Sequence, residues 1–295
     1  MKGDRRTILL TGASGFIGVA LARAMLARGW RVVGVGRANA PIDDPAFEWR
    51  RLDLAADDLP ADLFTNVDVL IHGALLRPGA AAGAFTSNLR AAANLLDAAI
   101  GNGVAEALFI SSMAADGDAL SQYGQQKYAI ERMFLERGFF CVRPGLVIGN
   151  GGLFHALAAY LAKHAYVPLI DGGRQSVETI YIDDCVEILV DALQKPLPNG
   201  VYAVAAEQPI AYRRLCFLLA RHLGVKPIFI PVPFFIANLG LSVAQMLHVP
   251  LPIDRDNLLG LRGMKPTPIE RLTSPHGRPL DAEQSIVATL ASRTT

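Results

Sequence analysis

The chain is poor in charge and in cysteine, and both shortages exclude whole classes of protein. Of 295 residues only 19% are charged, 28 Lys and Arg against 27 Asp and Glu, for a formal net charge of +1. Near-neutrality of this kind sets up no global field that would draw the molecule to nucleic acid or to an anionic membrane. The three cysteines, Cys141, Cys185 and Cys216, are widely separated in apolar surroundings. An odd count without a spacing pattern argues against a disulfide framework or a metal site and predicts buried thiols. No internal repeat or low-complexity tract interrupts the chain. With 52% hydrophobic residues it is globular, and long enough for one large or two unequal domains.

One shortage is local. Residues 227–253 contain no Lys, Arg, Asp or Glu, which invites comparison with a membrane span. Pro231, Pro233, Pro250 and Pro252 bracket an apolar core over Phe234–Leu247, well short of the roughly 20 residues a span needs. The expectation is a buried helix or a lid over a substrate pocket, with shallow membrane contact as the alternative. Met1–Arg6 is charged, but the apolar run behind it is too short for a signal-peptide core. A cytoplasmic protein with no membrane span is expected.

What is present centres on Thr11-Gly12-Ala13-Ser14-Gly15-Phe16-Ile17-Gly18, directly behind the apolar run Thr7-Ile8-Leu9-Leu10. Ile8–Leu10 reads as a buried strand and Val19–Leu26 as an Ala/Leu-rich helix closed by Gly29. The glycines therefore stand at a strand-to-helix junction, where a glycine triplet acquires meaning. Gly12 suits the tight turn, Gly15 lets a pyrophosphate approach the backbone, and Gly18 lets the helix pack closely. The helix N-terminus then offers free N–H groups to phosphate, which makes Gly12, Ser14, Gly15, Phe16, Ile17 and Gly18 candidate cofactor-binding residues.

Arg31–Gly36 reads as the second parallel strand and ends in Arg37. An acid at this position binds the 2′-OH of NAD, whereas an Arg accommodates the 2′-phosphate of NADP, so Arg37 favours NADP with NAD as the alternative. Glu48–Leu52 reads as a third strand leading to Asp53 and Leu54, candidates for adenine contact. Val67–Ile71 reads as a fourth, followed by His72-Gly73-Ala74, where small residues (Gly73, Ala74) let a flat ligand lie close; His72 reads as structural. A long Ala-rich helix over Ala80–Ala99 contains Asn88, and Ala107–Ile110 is a fifth strand. Such alternation predicts an α/β fold, a Rossmann-type doubly wound parallel sheet.

At the end of the fifth strand stand Ser111 and Ser112, and eleven residues past Ser112 comes Tyr123-Gly124-Gln125-Gln126-Lys127, leading into a helix over Tyr128–Arg137. The i, i+4 spacing puts Tyr123 and Lys127 on one helical face. A phenol titrates near 10 in isolation, and a neighbouring ammonium with an oxidised nicotinamide would favour its phenolate and bring it towards the range of acid–base catalysis. Ser112 would hydrogen-bond the reacting oxygen, and Lys127 would also hold the nicotinamide ribose.

With these residues the chain resembles an extended short-chain dehydrogenase/reductase of the NAD(P)-dependent epimerase/dehydratase family, which includes nucleotide-sugar 4-epimerases, dehydratases and 4-keto reductases. The resemblance continues through Val142–Gly149, placing Pro144 and Val147 beside the nicotinamide. It extends through Glu178–Val186, with its paired acids Asp183 and Asp184, and through Gly200–Val204, which resembles the late strand of the small domain. It covers residues 7 to about 225 and implies that Asn88 orders the lysine through water, so Ser112, Tyr123, Lys127 and Asn88 are the candidate catalytic residues. It also implies a homodimer through the helix of Tyr123 and Lys127 and the long helix before it. Two departures matter. Ser112 is followed by Met113-Ala114-Ala115, where dehydratases carry an acidic pair. The loop from Ser112 to Tyr123 also lacks the longer insertion that many sugar-nucleotide enzymes carry.

The expected organisation is a dinucleotide-binding domain over residues 1–149 and a mainly substrate-binding domain over 150–295, with some segments returning to the sheet. Asp171-Gly172-Gly173-Arg174 reads as a turn whose Arg174 could meet a diphosphate, with Arg255 and Arg262 as weaker candidates for the same role. Asp183 and Asp184 suit a helix start. A proline-rich surface crossing over Lys265–Pro279 precedes a final helix over Asp281–Ala291. The expected activity is NAD(P)-dependent hydride transfer on a nucleotide sugar, 4-keto reduction or 4-epimerisation. The alternatives are a non-sugar carbonyl substrate, or a non-catalytic dinucleotide-binding subunit that senses redox state or serves in assembly.

Overall fold

The buried run Thr7–Thr11 forms β1 at the centre of an eight-stranded parallel sheet. Strands covered on both faces read as unbroken apolar runs, which is why Ile8, Leu9 and Leu10 are all fully buried. In this computed structural model the described residues are 6–55, 58–76, 83–195, 197–246, 256, 258–260, 269–274 and 276–292, with the side chains of 242–246 outside the description. The N-terminal half alternates β1, α1 (Phe16–Ala27), β2 (Arg31–Gly36), β3 (Phe47–Arg51), β4 (Val69–His72), α2 (Ala84–Gly101), β5 (Glu106–Ile110), α3 (Gln122–Glu136) and β6 (Phe140–Pro144). Then come β7 (Leu146–Ile148), α4 (Gly152–Lys163), β8 (Tyr166–Ile170), a 3-10 turn (Asp171–Gly173), β9 (Ser176–Val177), β10 (Thr179–Tyr181) and α5 (Ile182–Gln194). The remainder is β11 (Val201–Val204), β12 (Ile210–Ala211), α6 (Tyr212–His222), β13 (Ile228–Val232), α7 (Phe234–Met246), β14 (Glu270–Arg271) and α8 (Ala282–Ala291).

Sheet order is β3-β2-β1-β4-β5-β6-β11-β14. The order reverses between β1 and β4, the switch point where doubly wound folds bind ligands beyond the carboxyl ends of the strands. One apolar layer holds α1 and α5 against the sheet, with Leu21, Met25, Ile188 and Leu189 in its core. The other holds α2 and α3, with Leu95, Leu96, Ile130 and Phe134. A third cluster of Phe154, Leu161, Val167, Leu169, Leu215 and Leu219 gathers α4, β8 and α6. All three cysteines are free and buried, as their surroundings implied.

Two expectations are corrected. Val201–Val204 belongs to the central sheet, with Tyr202 opposite Val142 on β6, because its buried apolar side chains complete the two large layers. For Phe234–Met246 the buried-helix half of the expectation fails at the described side chains, and the reading as a lid is left open. Phe235 and Leu239 are 70% and 65% exposed, since the small layer's core is already closed by α4, α6 and α8. The proline-rich crossing also carries a short edge strand, β14, whose Glu270 pairs with Tyr202.

Candidate active site

The glycine turn is shaped by close approach. Gly12 has φ of +75°, and a Cβ there would lie 2.8 Å from the Ala74 nitrogen. A Cβ on Gly18 would lie 2.1 Å from the Gly12 carbonyl oxygen, so this glycine packs the helix onto the turn itself. Gly15 is the N-cap of α1 in extended conformation, with no side-chain cap bond and no acid in the first turn. The first N–H groups of the helix, those of Phe16 and Ile17 among them, are therefore left for a ligand at the positive end of the dipole. Ser14 and Gly15 are exposed at the opening, while the Phe16 ring packs where Cβ atoms on Gly149 and Gly151 would collide with it. These features fit a dinucleotide pyrophosphate.

Around the opening, Arg37 is exposed just past the end of β2, and Asp53 and Leu54 are half-buried after β3. Asp53 accepts from the Ala55 N–H at 3.1 Å. Behind the turn, the Thr11 hydroxyl oxygen accepts from the Gly73 and Ala74 N–H groups, both at 3.2 Å, and lies 2.7 Å from His72 Nδ1. With both lone pairs occupied, the hydroxyl gives its proton to a bare Nδ1. Burial, helped by the Lys127 charge, drives the His72 pKa down to about 3, so this imidazole is a neutral strut that fixes the Gly73–Ala74 backbone. Asn88, on α2, has its side-chain amide engaged at both ends by Leu76, accepting from its N–H at 2.9 Å and donating to its carbonyl at 2.8 Å. The same loop is thereby clamped from the other side.

Ser112 and α3 meet at the carboxyl end of β5. Ser121 caps α3 by accepting from the Gly124 N–H at 3.1 Å. A second cap comes from far along the chain: the Asp256 carboxylate accepts from the N–H groups of Gln122, at 2.5 Å, and Tyr123, at 3.1 Å. Nothing in the sequence around Asp256 signals that role, because the contact spans more than a hundred residues. Ser112 Oγ accepts from the Ala114 N–H at 3.2 Å and is half-buried, as is Tyr123. Lys127 is buried; its ammonium donates to the Ile110 carbonyl at 2.7 Å and stands 4.6 Å from the Phe109 ring centroid and 5.8 Å from that of Tyr123. Burial lowers its pKa to about 8 against the opposing pull of Glu131. Glu131, one turn further along α3, holds Arg143 with two bonds of 2.7 and 2.6 Å.

Pro144, buried, ends β6, and Val147 pairs with Ile180 across β7 and β10. Arg174 is exposed after the 3-10 turn, whereas Arg255 and Arg262 lie outside the described residues. Asp184 leaves capping aside: its carboxylate accepts from the Leu280 N–H at 2.8 Å, tying α5 to the approach of α8.

The model of the NAD dependent epimerase/dehydratase family matches residues 8–205. Among relatives, the chain is 24% identical to a 2-alkyl-3-oxoalkanoate reductase of Stenotrophomonas maltophilia (strain K279a), covering 91% of this chain and 90% of that protein. It is 27% identical to a dTDP-4-dehydro-6-deoxy-D-allose reductase of a Streptomyces species, covering 76% and 84%. The solved structure of MoeE5 in complex with UDP-glucuronic acid and NAD superposes with a TM-score of 0.72 at 20% identity, covering 98% of this chain and all of that one. With the parallel sheet, the open glycine turn and the family match in agreement, this chain belongs to the NAD-dependent epimerase/dehydratase family and is an enzyme of the extended short-chain dehydrogenase/reductase type.

Proposed function

We propose that the enzyme reduces a carbonyl group with NADPH, and that its substrate is the 4-keto group of a nucleotide sugar. The observation that carries this reading is the Lys127 ammonium, buried and held on the Ile110 carbonyl at the end of β5, one turn from Tyr123. When bound, the dinucleotide supplies the hydride that the carbonyl carbon accepts. Tyr123 gives its hydroxyl proton to the carbonyl oxygen, and Ser112 donates a hydrogen bond to the same oxygen as negative charge develops there. Lys127 favours the phenolate left behind and takes part in holding the ribose. Asn88 and the Thr11–His72 pair keep the Gly73–Ala74 loop in place. In this reading Arg37 meets the 2′-phosphate, Asp53, Leu54, Pro144 and Val147 complete the cofactor wall, and Arg174, exposed after the 3-10 turn, meets a substrate diphosphate.

Reduction is favoured over dehydration because Met113-Ala114-Ala115 provides neither acid nor base. It is favoured over epimerisation because the two curated relatives above both act as reductases by name. A 3-oxo acid substrate is the second reading, supported by the relative that aligns over nearly its whole length. A homodimer through α2 and α3 is part of the proposal, with Gln126 bridging those helices through the carbonyls of Ala84 and Phe85.

NADPH oxidation followed with a dTDP-4-keto-6-deoxy sugar and with a 2-alkyl-3-oxo acid tests the substrate. A higher kcat/KM on the sugar supports the reading. Preference for the acid replaces the sugar with the second reading, and turnover of neither overturns both.

A further inference from the structure

An apolar face on the smaller layer has no part in the proposed chemistry. Tyr166 and Ile228 are register partners at the head of the β8–β13 ribbon, and Pro168 and Ile230 are partners two positions further along. Alternation turns Val167 and Leu169 inward, both buried, and leaves Tyr166, Pro168, Ile228 and Ile230 exposed. The chain then enters α7, where Phe235 and Leu239 stand one turn apart with Ile236 beside them, all exposed. The Phe234 N–H donates to Asp171 Oδ1 at 2.9 Å, which ties the start of α7 to the turn ending β8 and keeps ribbon and helix adjoining. Exposed apolar side chains gathered on one part of a folded protein mark a contact surface.

Apart from Asp171, whose carboxylate accepts from the start of α7, and Glu283, which pairs with Arg221, the charged residues along this face are cations. Residues 151–170 and 208–253 contain Lys163, Arg213, Arg214, Arg221 and Lys226 and no Asp or Glu. Lys163 stands three residues before Tyr166 and Lys226 two before Ile228, so both exposed ammonium groups lie at the paired head of the ribbon. The near-zero net charge of the whole molecule conceals this local excess.

We propose that this face rests on an anionic lipid surface, with Phe235, Ile236 and Leu239 dipping into the headgroup–acyl boundary and Lys163 and Lys226 meeting lipid phosphates. No helix among the described residues is long and apolar enough to cross a membrane, so α7 lies in the plane of the surface. Lipid phosphates attract the cationic rim. A second copy of this chain, paired about a two-fold axis through the same face, would bring one such rim against another.

Flotation of the purified enzyme with phosphatidylcholine vesicles, with and without phosphatidylglycerol, tests this. Partition should be at least about tenfold stronger on the anionic vesicles and weaken with salt. It should be lost in both Phe235→Ser/Leu239→Ser and Lys163→Glu/Lys226→Glu, with melting temperatures kept near that of the parent. Failure to float, equal partition on both vesicles, or partition unchanged by either pair overturns the proposal. So does a Phe235→Ser/Leu239→Ser enzyme that still floats but has become monomeric from a dimeric parent, because the face is then a self-association surface.

Discussion

Gly124 sits so close to the turn after Ser112 that a Cβ on it would lie 2.3 Å from the Ala114 carbonyl oxygen. This contact lets the first turn of α3 carry Tyr123 down onto the end of β5. In Gly124→Ala the helix gains about 1 kcal/mol of intrinsic propensity, yet the collision forces the helix start away, at a cost of about 1–3 kcal/mol. Denaturant unfolding should show a net loss of stability, and kcat should fall by about a hundredfold from misplacement of Tyr123. A more stable, fully active variant would contradict the account.

Lys127 is held as a cation at a place that disfavours it. With its folded pKa at about 8 and the unfolded value near 10.4, the unfolded chain binds the extra proton between these values, so stability rises with pH through that window. At neutral pH the buried charge works against the fold by about 3 kcal/mol. Lys127→Met should therefore unfold at no lower temperature than the parent at neutral pH, and its stability should lose the rise above pH 8. Turnover should be abolished, and turnover of the parent should decline as pH passes about 8.

His72 titrates in the opposite part of the scale with the same logic. The unfolded chain takes up a proton near 6.5 while the folded imidazole resists until about 3, so stability is present above 6.5 and is lost as pH falls towards 3. His72→Phe keeps the ring between Phe109 and Phe134, which stack on it, and loses the Thr11 hydrogen bond. At neutral pH it should be less stable by about 1 kcal/mol. Acid unfolding curves should show its stability falling less steeply than that of the parent.

Arg37 decides the cofactor in this account. Replacing it in Arg37→Asp removes a charged partner of the 2′-phosphate worth about 1.5–3 kcal/mol. Titration of binding should show NADPH weakened by about tenfold to a hundredfold and NADH affinity raised. Unchanged preference would remove Arg37 from the site.

The N-terminal half was legible because its signals are local. The glycine turn marks the junction of β1 and α1 within a few residues, the Tyr123–Lys127 spacing puts both residues on one helix, α3, and β2 spans Arg31–Gly36 as the apolar run implies. What escaped is non-local. Val201–Val204 cannot announce that its partner is β6 rather than the smaller layer. Asp256 caps α3 from 133 residues beyond Tyr123. Asn88 is singled out by the resemblance as the residue that orders the lysine, but nothing in the helix sequence shows that its amide clamps the loop at Leu76. The exposure of Phe235 and Leu239 was hidden because an uncharged run has the same composition whether it enters a core or faces outward.

Transfer of deuterium is the most direct measure of the central claim. The enzyme is incubated with NADPH carrying deuterium at both positions of nicotinamide C4 and a 4-keto nucleotide sugar, and the product is read by mass spectrometry. The account predicts one deuterium at the new carbinol carbon, and a Tyr123→Phe enzyme that binds NADPH normally while forming product at least about a thousandfold more slowly. Product without deuterium, or near-normal turnover in Tyr123→Phe, would contradict it.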